Sequence, residues 1–525
     1  MPDEILKSIP QALYRPEQVR AHEAQVATSK GVDLWQLMVR AGEALFSAQQ
    51  RFYGTAASTV VLCGSGNNGG DGYVFARLAK QAGVAVCVYA AGPPKTADAR
   101  RAWQEWQAQG GQVAPFEQLF EQGLDADVVV DALFGTGIQR NVDKLHAHVI
   151  ATLNESSVPV IAADVPSGLC ADTGQPLGVA VRAQHTVTMV AAKRGLLTGS
   201  ARDYTGQLWL AELGLGNAFA QHVLTDTIKL DANVLAMWLP PRDHASHKGN
   251  SGHVVIIGGQ RGMAGAARLA GEACLRAGAG KVSIICEPGQ EGIVATTPEL
   301  MVLGAKSDCP RARALIAQAS VLAVGPGLGA TQSSQNEMAL EWGAAWWLVV
   351  KAASKNNGKP LIIDADALNL LANERVEAAT NLQWILTPHP GEAARLLSGD
   401  SKPVSASEVQ GNRWQAAAAL QQKFSAVVVL KGSGTLIYGP ETRALCPMGT
   451  PAMATAGMGD LLTGIISAVV AQANVLQLSL WQSVCAAVMV HAKAGELAAG
   501  ANTRGVLASD LLPYIVVGMN PNADR

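Results

Sequence analysis

The chain has 525 residues, of which 49% are hydrophobic and 16% charged, with a formal net charge of -2. These values exclude a disordered chain and a basic nucleic-acid footprint, and the length exceeds what one hydrophobic core usually serves, so two domains are expected. Eight cysteines without a CxxC pair argue against a disulfide framework or zinc site and for a reducing, cytoplasmic setting.

In chain order, residues 14–50 read as helical, because Val19, Ala24, Val26, Leu34, Met38, Ala41 and Leu45 recur at helical spacing between polar residues. No basic stretch leads into an apolar core near the N-terminus, so no signal peptide is expected. Strands follow at 59–63, 84–90, 127–133 and 158–164, with a Gly/Asn-rich loop and then a helix over 72–81 between the first two. Apolar runs alternating with helices imply an α/β fold, a parallel sheet covered on both faces in three αβα layers. The alternation fades over 214–241, where Leu239-Pro240-Pro241-Arg242 is a stiff extended stretch. The boundary is set near residue 222, giving domains 1–222 and 223–525. Strands resume at 253–258, 281–286, 321–325, 360–364, 384–386, 426–430 and 434–438, covered by helices over 264–277 and 461–473. The second of these helices is apolar but interrupted by Thr463, Gly464 and Ser467, so it is not expected to span a membrane.

The segment Cys63-Gly64-Ser65-Gly66-Asn67-Asn68-Gly69-Gly70-Asp71-Gly72 links a strand to a helix, which is where open α/β sheets bind ligands. It lacks the Gly-Lys-Ser/Thr ending of a P-loop and is too rich in Asn for a dinucleotide fingerprint. Taken alone it is a glycine-rich turn with Asp71 as a helix cap. Two later strand ends, Val130-Asp131-Ala132-Leu133-Phe134-Gly135-Thr136-Gly137 and Ala163-Asp164-Val165-Pro166-Ser167-Gly168, gather on the same rim of a parallel sheet. There Asn68, Asp131 and Ser167 could supply oxygens to a hard cation, and Asp164 could instead act on substrate.

These three runs, in this order, resemble the YjeF N-terminal family of NAD(P)HX epimerases over about residues 10–215. The resemblance implies a Rossmann-like domain. It also implies a substrate site lined by Asn67, Asn68, Gly69, Gly70, Asp71, Gly135, Thr136, Gly137, Ile138, Gln139, Arg140 and Asn141, with Asp164 contacting substrate as a catalytic residue. A potassium ion would be held by Asn68, Asp131 and Ser167. Lys193, in Ala192-Lys193-Arg194-Gly195, is a weaker acid/base candidate, since most lysines are solvated.

The second half carries Gly262-Met263-Ala264-Gly265, Val324-Gly325-Pro326-Gly327-Leu328-Gly329, a strand ending in Asp364-Ala365-Asp366, Thr387-Pro388-His389-Pro390-Gly391-Glu392, and Lys431-Gly432-Ser433-Gly434-Thr435. It closes on Ala456-Gly457-Met458-Gly459-Asp460, a small-residue loop running into an apolar helix. Such a loop aims backbone N–H groups at a phosphate, and a carboxylate beside it reads as a base or a partner to a cation. Glu392 reads as a helix N-terminal acid, and His244 and His247 as linker residues without a third metal ligand.

This set resembles the ribokinase-like fold, and more closely the ADP/ATP-dependent NAD(P)HX dehydratases, over about residues 230–515. The resemblance implies that Lys431, Gly432, Ser433, Gly434, Thr435 and Gly459 contact the adenine nucleotide. Ala264, Gly327, His389 and Asp460 would contact the hydrated nicotinamide, with Asp460 catalytic. Met458 stands where a small or hydroxylated residue is expected. The two resemblances together imply a bifunctional repair enzyme for NADHX and NADPHX. It would use ADP, with ATP as the alternative, together with Mg2+ and K+, and would have neither nucleic-acid nor membrane partners. A homo-oligomer is expected. The competing reading is a vitamin or sugar kinase fused to a non-catalytic ligand-binding domain.

Overall fold

The computed structural model describes residues 6–329, 337–374, 383–399 and 403–522. The chain divides into two compact units, Met1–Ile228 and Lys229–Arg525.

In the first unit the strands lie in the spatial order Val113–Ala114, Val86–Ala90, Thr59–Cys63, Val128–Ala132, Val160–Ala163, His185–Met189, Gln207–Ala211, each parallel to its neighbour. The central strands are β-branched runs buried at every position, the signature of a sheet covered on both faces. His185–Met189 and Gln207–Ala211 carry polar residues and were not anticipated as strands. Thr186 Oγ1 is satisfied locally, donating to the carbonyl of Thr205 at 2.8 Å. The helical stretch read over 14–50 is made of two helices, Pro16–Ser29 and Leu34–Tyr53. Gly31, at φ 70°, turns the chain, and Asp33 restarts it with a capping box to Gln36.

The helix expected from Gly72 begins at Asn67. The Asn/Gly run is therefore the first turn of a helix and not a loop, and the N-cap position falls to Gly66 rather than Asp71. Gly69 permits this start, because a Cβ there would lie 1.9 Å from the carbonyl oxygen of Gly64.

In the second unit the strands run in the spatial order Arg443–Cys446, Thr435–Tyr438, Val427–Leu430, Trp384–Leu386, Leu361–Ile363, Val321–Val324, His253–Ile257, Lys281–Cys286, Met301–Gly304. The ladder is parallel except for the meander at 427–446, whose neighbours are antiparallel. The segment where alternation faded also forms structure, including the helix Ala232–Trp238, which is capped by Asp231 and buries Val234, Leu235 and Trp238. Helices Ala264–Arg276 and Met458–Ala471 pack closely because Gly464 has no side chain: a Cβ there would meet the Ala270 carbonyl oxygen at 2.1 Å. Leu461, Ile465 and Ile466 on the second of these helices are fully buried, each contributing about 1.5–3 kcal/mol. This packing fixes where the helix starts, and so where Gly459 and Asp460 stand.

Candidate active sites

In the first unit a cavity of about 740 Å³ opens at the carboxyl ends of the strands. Its walls include Asn67, Asn68, Asp71 and the loop residues Gly135, Thr136, Gly137, Ile138, Gln139, Arg140 and Asn141, with Asp164, Met189 and Val190. Helix Pro16–Ser29 adds Arg20 and Glu23, which the sequence reading did not single out. Arg20 Nη1 donates to the carbonyl of Thr136 at 3.1 Å, tying that helix to the 135–141 loop. Gly69 and Gly70 do not line the cavity; Gly70 is packed against Met38, whose Sδ would lie 2.6 Å from a Cβ there.

Asp164 follows the strand Val160–Ala163 with φ 64°, a left-handed conformation that costs a non-glycine residue on the order of 1–3 kcal/mol. Its contacts hold it there. Oδ1 accepts from Lys193 Nζ at 2.5 Å, from the Met189 amide at 3.0 Å and from Thr188 Oγ1 at 3.2 Å. Lys193 is 1% exposed and donates also to the Met189 carbonyl at 2.7 Å and to Thr188 Oγ1 at 3.1 Å. The expectation of a solvated lysine therefore fails. Tyr14 pairs with this stretch, which locks the residue inside the fold. Two more carboxyl groups share the cavity. Burial, then Asp164 and Glu23, push Asp71 well above the usual carboxylate range. Glu23 is raised by burial and Asp164, against the opposing charges of Lys193 and Arg20.

Asp131 and Ser167 form a fully buried unit behind this wall. Ser167 Oγ donates to Asp131 Oδ1 at 2.6 Å, and the Ser167 amide donates to Oδ2 at 2.8 Å. Burial raises Asp131 to about 6 despite these bonds. Asn68 stands beside Gly135, with its side-chain nitrogen buried and without a hydrogen-bond partner among the described residues.

In the second unit, the first turn of helix Met458–Ala471 meets three other segments. Asp364, 1% exposed, accepts from Lys431 Nζ at 3.0 Å and Thr387 Oγ1 at 2.8 Å through Oδ1, and from Thr463 Oγ1 at 2.8 Å through Oδ2. Lys431 Nζ also lies 3.7 Å from Glu392 Oε2. A Cβ on Gly459 would sit 3.2 Å from that ammonium, a tight contact that would ask the lysine to give by a few tenths of an ångström. Asp460 is raised to about 7, first by burial and then by Asp364, with Lys431 opposing and Asp366 and Glu392 adding. From the motifs alone Lys431 belongs only to the nucleotide, and Asp364, Thr387 and Thr463 carry no role. The strand ending in Asp364-Ala365-Asp366 was the available signal.

His389 caps helix Pro390–Leu397 with its ring: Nδ1 accepts from the amides of Gly391 at 3.0 Å and Glu392 at 3.3 Å, while Glu392 accepts from the His389 amide at 2.8 Å. Glu392 is thus both the helix-start acid that was expected and a neighbour of Lys431. The His389 side chain remains half exposed. Ala264, the first residue of its helix, and Gly327 meet around Met263, whose carbonyl oxygen a Gly327 Cβ would approach to 2.4 Å. The 431–435 loop is held from behind by Arg413, 1% exposed, which donates to the carbonyls of Leu430 at 3.0 Å and Ser433 at 2.9 Å and more weakly to those of Lys431 and Gly434. His244 and His247 are exposed. Among the described residues no group of three or more His, Cys, Asp or Glu could hold a metal ion, and no helix is long and apolar enough to cross a membrane.

Residues 254–516 match the family described as NAD(P)H-hydrate dehydratase, and residues 35–195 match the family described as YjeF-related protein N-terminus. The chain is 42% identical over 518 residues to the bifunctional NAD(P)H-hydrate repair enzyme Nnr of Coxiella burnetii, covering 97% of this chain and 99% of that one. It is 40% identical over 521 residues to the enzyme of the same name from Escherichia coli, covering 98% of this chain and 95% of that one. Among solved structures, a ribokinase-like superfamily protein from Enterococcus faecalis is 27% identical with a TM-score of 0.50, covering 58% of this chain and 99% of that chain.

Proposed function

The chain belongs to the family of bifunctional NAD(P)H-hydrate repair enzymes, and on that premise we propose which of its residues carry the two reactions. The protein is an enzyme of two activities: its N-terminal part epimerises the R and S forms of hydrated NADH and NADPH, and its C-terminal, ribokinase-like part dehydrates them. We assign the first activity to residues 1–222 and the second to 223–525.

The dehydration needs a better leaving group than hydroxide. In the proposed reaction the 6-hydroxyl oxygen attacks the terminal phosphoryl group of ADP, a P–O bond forms, and the bond to AMP breaks. Asp460 takes the hydroxyl proton. Phosphate then leaves C6 as C5 loses a proton, restoring the double bond. Main-chain amides at 457–460 and the Lys431 ammonium offset the charge developing on the transferred group. The observation that carries this reading is the single cluster of Asp460, Lys431, Asp364 and Gly459 at a helix start. Lys431, Gly432, Ser433, Gly434, Thr435 and Gly459 would bind ADP, with ATP as the alternative. Ala264, Gly327 and His389 would bind the nicotinamide.

The carboxylates here form no closed cage, which suits a magnesium ion held mostly by phosphates and water, where it neutralises phosphate charge. The potassium set also fits its residues: Asp131 is a buried carboxylate with no cationic partner among the described residues, and Asn68 and Ser167 bring the amide and hydroxyl oxygens that a hard cation takes. A potassium ion held by Asn68, Asp131 and Ser167 would supply the missing positive charge. A cytoplasmic homo-oligomer completes the proposal, tested by light scattering.

The deciding experiment incubates the protein with hydrated NADH and ADP. Recovery of the reduced-nicotinamide absorbance with release of inorganic phosphate is expected. Accumulation of a stable phosphorylated product would instead favour a small-molecule kinase.

A further inference from the structure

Epimerisation at C6 inverts a carbon that bears both a hydroxyl group and the ring nitrogen. Opening the ring requires one group to take the hydroxyl proton and another to give a proton to the nitrogen. Asp164 is fixed through Oδ1, which accepts three hydrogen bonds, one from a buried ammonium. Glu23 and Asp71 differ from it. Both line the cavity, from helices Pro16–Ser29 and Asn67–Gln81. Neither carboxyl group makes a hydrogen bond or ion pair among the described residues. Arg20, one turn before Glu23, is tied to the carbonyl of Thr136 in the substrate loop, which fixes the helix carrying Glu23 over the cavity.

We propose that Glu23 and Asp71 are the acid–base pair of the epimerase, with Glu23 serving the substrate hydroxyl and Asp71 the ring nitrogen. This rests on the epimerase reading of the first unit. As the C6–N1 bond breaks, its electron pair stays on N1, which takes the Asp71 proton. The hydroxyl proton passes to Glu23 and C6 becomes an aldehyde. Rotation about C5–C6 presents the other face. N1 then attacks that face, returns its proton to Asp71, and the oxygen takes back the proton from Glu23. Nothing is oxidised or reduced, and both carboxyl groups end as they began. The pair must start with one proton between them. Two partly buried carboxyl groups on the wall of one cavity suit that state: burial and the like charges of Asp164 and Glu23 favour the protonated form of Asp71, while Lys193 and Arg20 offset part of the rise that burial and Asp164 impose on Glu23.

The test compares wild type with Glu23→Gln, Glu23→Asp and Asp71→Asn in the full chain, assaying epimerisation and dehydration of the same preparation. The expected result is a fall in epimerase kcat of about 100-fold or more for Glu23→Gln and Asp71→Asn, partial recovery with Glu23→Asp, and unchanged dehydration. The acidic limb of the epimerase pH profile should disappear in Glu23→Gln. A Glu23→Gln enzyme with wild-type epimerase kcat, or one with a raised KM alone, overturns the proposal. A wild-type chain that does not epimerise at all would instead overturn the reading beneath it.

Discussion

The Lys431 ammonium sits 3.0 Å from Asp364 Oδ1, at the point where a strand end, a glycine loop and the first turn of helix Met458–Ala471 converge. Asp364 in turn holds Thr387 and Thr463, so the lysine is fixed by a carboxylate that is itself fixed. A buried ion pair of this kind adds little net stability, but breaking it leaves an uncompensated charge at a cost of about 3–5 kcal/mol. What it supplies is a cation at a set position beside Asp460.

Asp460 should set the acidic limb of dehydration. Its value of about 7 places the base half-ionised near neutral pH, so kcat/KM should rise as pH passes through about 7. Asp460→Asn should remove that limb, lower the rate about 10²–10⁴-fold and leave epimerisation intact. Normal turnover in this variant would take Asp460 out of the mechanism.

Asp364→Asn tests the electrostatics separately. Asp364 is the largest charge raising Asp460. Its neutral replacement should move the acidic limb of dehydration to lower pH, because ionised Asp460 loses a repulsive neighbour. Initial rates measured across pH would reveal the shift, and a limb that stays in place means the two carboxylates do not sense each other.

Arg413 and Gly432 hold the loop assigned to the nucleotide. Gly432 has φ 139°, and a Cβ there would lie 2.6 Å from Arg413 Nη1. Arg413→Met would leave buried carbonyls unpaired, each at about 1–3 kcal/mol. Both Gly432→Ala and Arg413→Met should raise the KM for ADP about tenfold or more, one factor of ten being about 1.4 kcal/mol, without changing epimerisation. An unchanged KM would show that the loop does not bind the nucleotide.

Asp131 makes the first unit sensitive to pH. Its value rises from 3.8 to about 6 on folding, so the fold prefers the protonated form. The associated stability is fully present below about pH 4 and is lost as pH rises through about 6, on the order of 3 kcal/mol. A bound potassium ion would favour the carboxylate and oppose this loss. Thermal melting at pH 5 and at pH 8, in potassium chloride and in choline chloride, should therefore show potassium stabilising chiefly at the higher pH. Equal melting in both salts at pH 8 would remove the cation from Asp131.

Much of the frame was legible in the sequence because buried parallel strands are short β-branched runs and their ends carry the glycines and acids. Thr59–Cys63, Val128–Ala132 and Lys281–Cys286 stand where those runs were read. His185–Met189 and Arg443–Cys446 were missed, since their burial depends on neighbouring strands rather than on their own composition. Both glycine-rich motifs read as loops ahead of their helices, yet Asn67 and Met458 already lie in the first turn. Glycine disfavours helix locally, and here the packing against Gly64 and against helix Ala264–Arg276 overrides it.

The sequence by itself determined the two α/β halves and the order of their motifs, because each is written in a contiguous run. Only the tertiary structure decided that Lys193 is buried on Asp164, that Glu23 reaches the first cavity, and that Asp364 anchors Lys431. Those pairings join residues far apart in the chain, and what brings a charge to its partner is the folded path of the backbone, together with the desolvation that makes an unpaired charge costly.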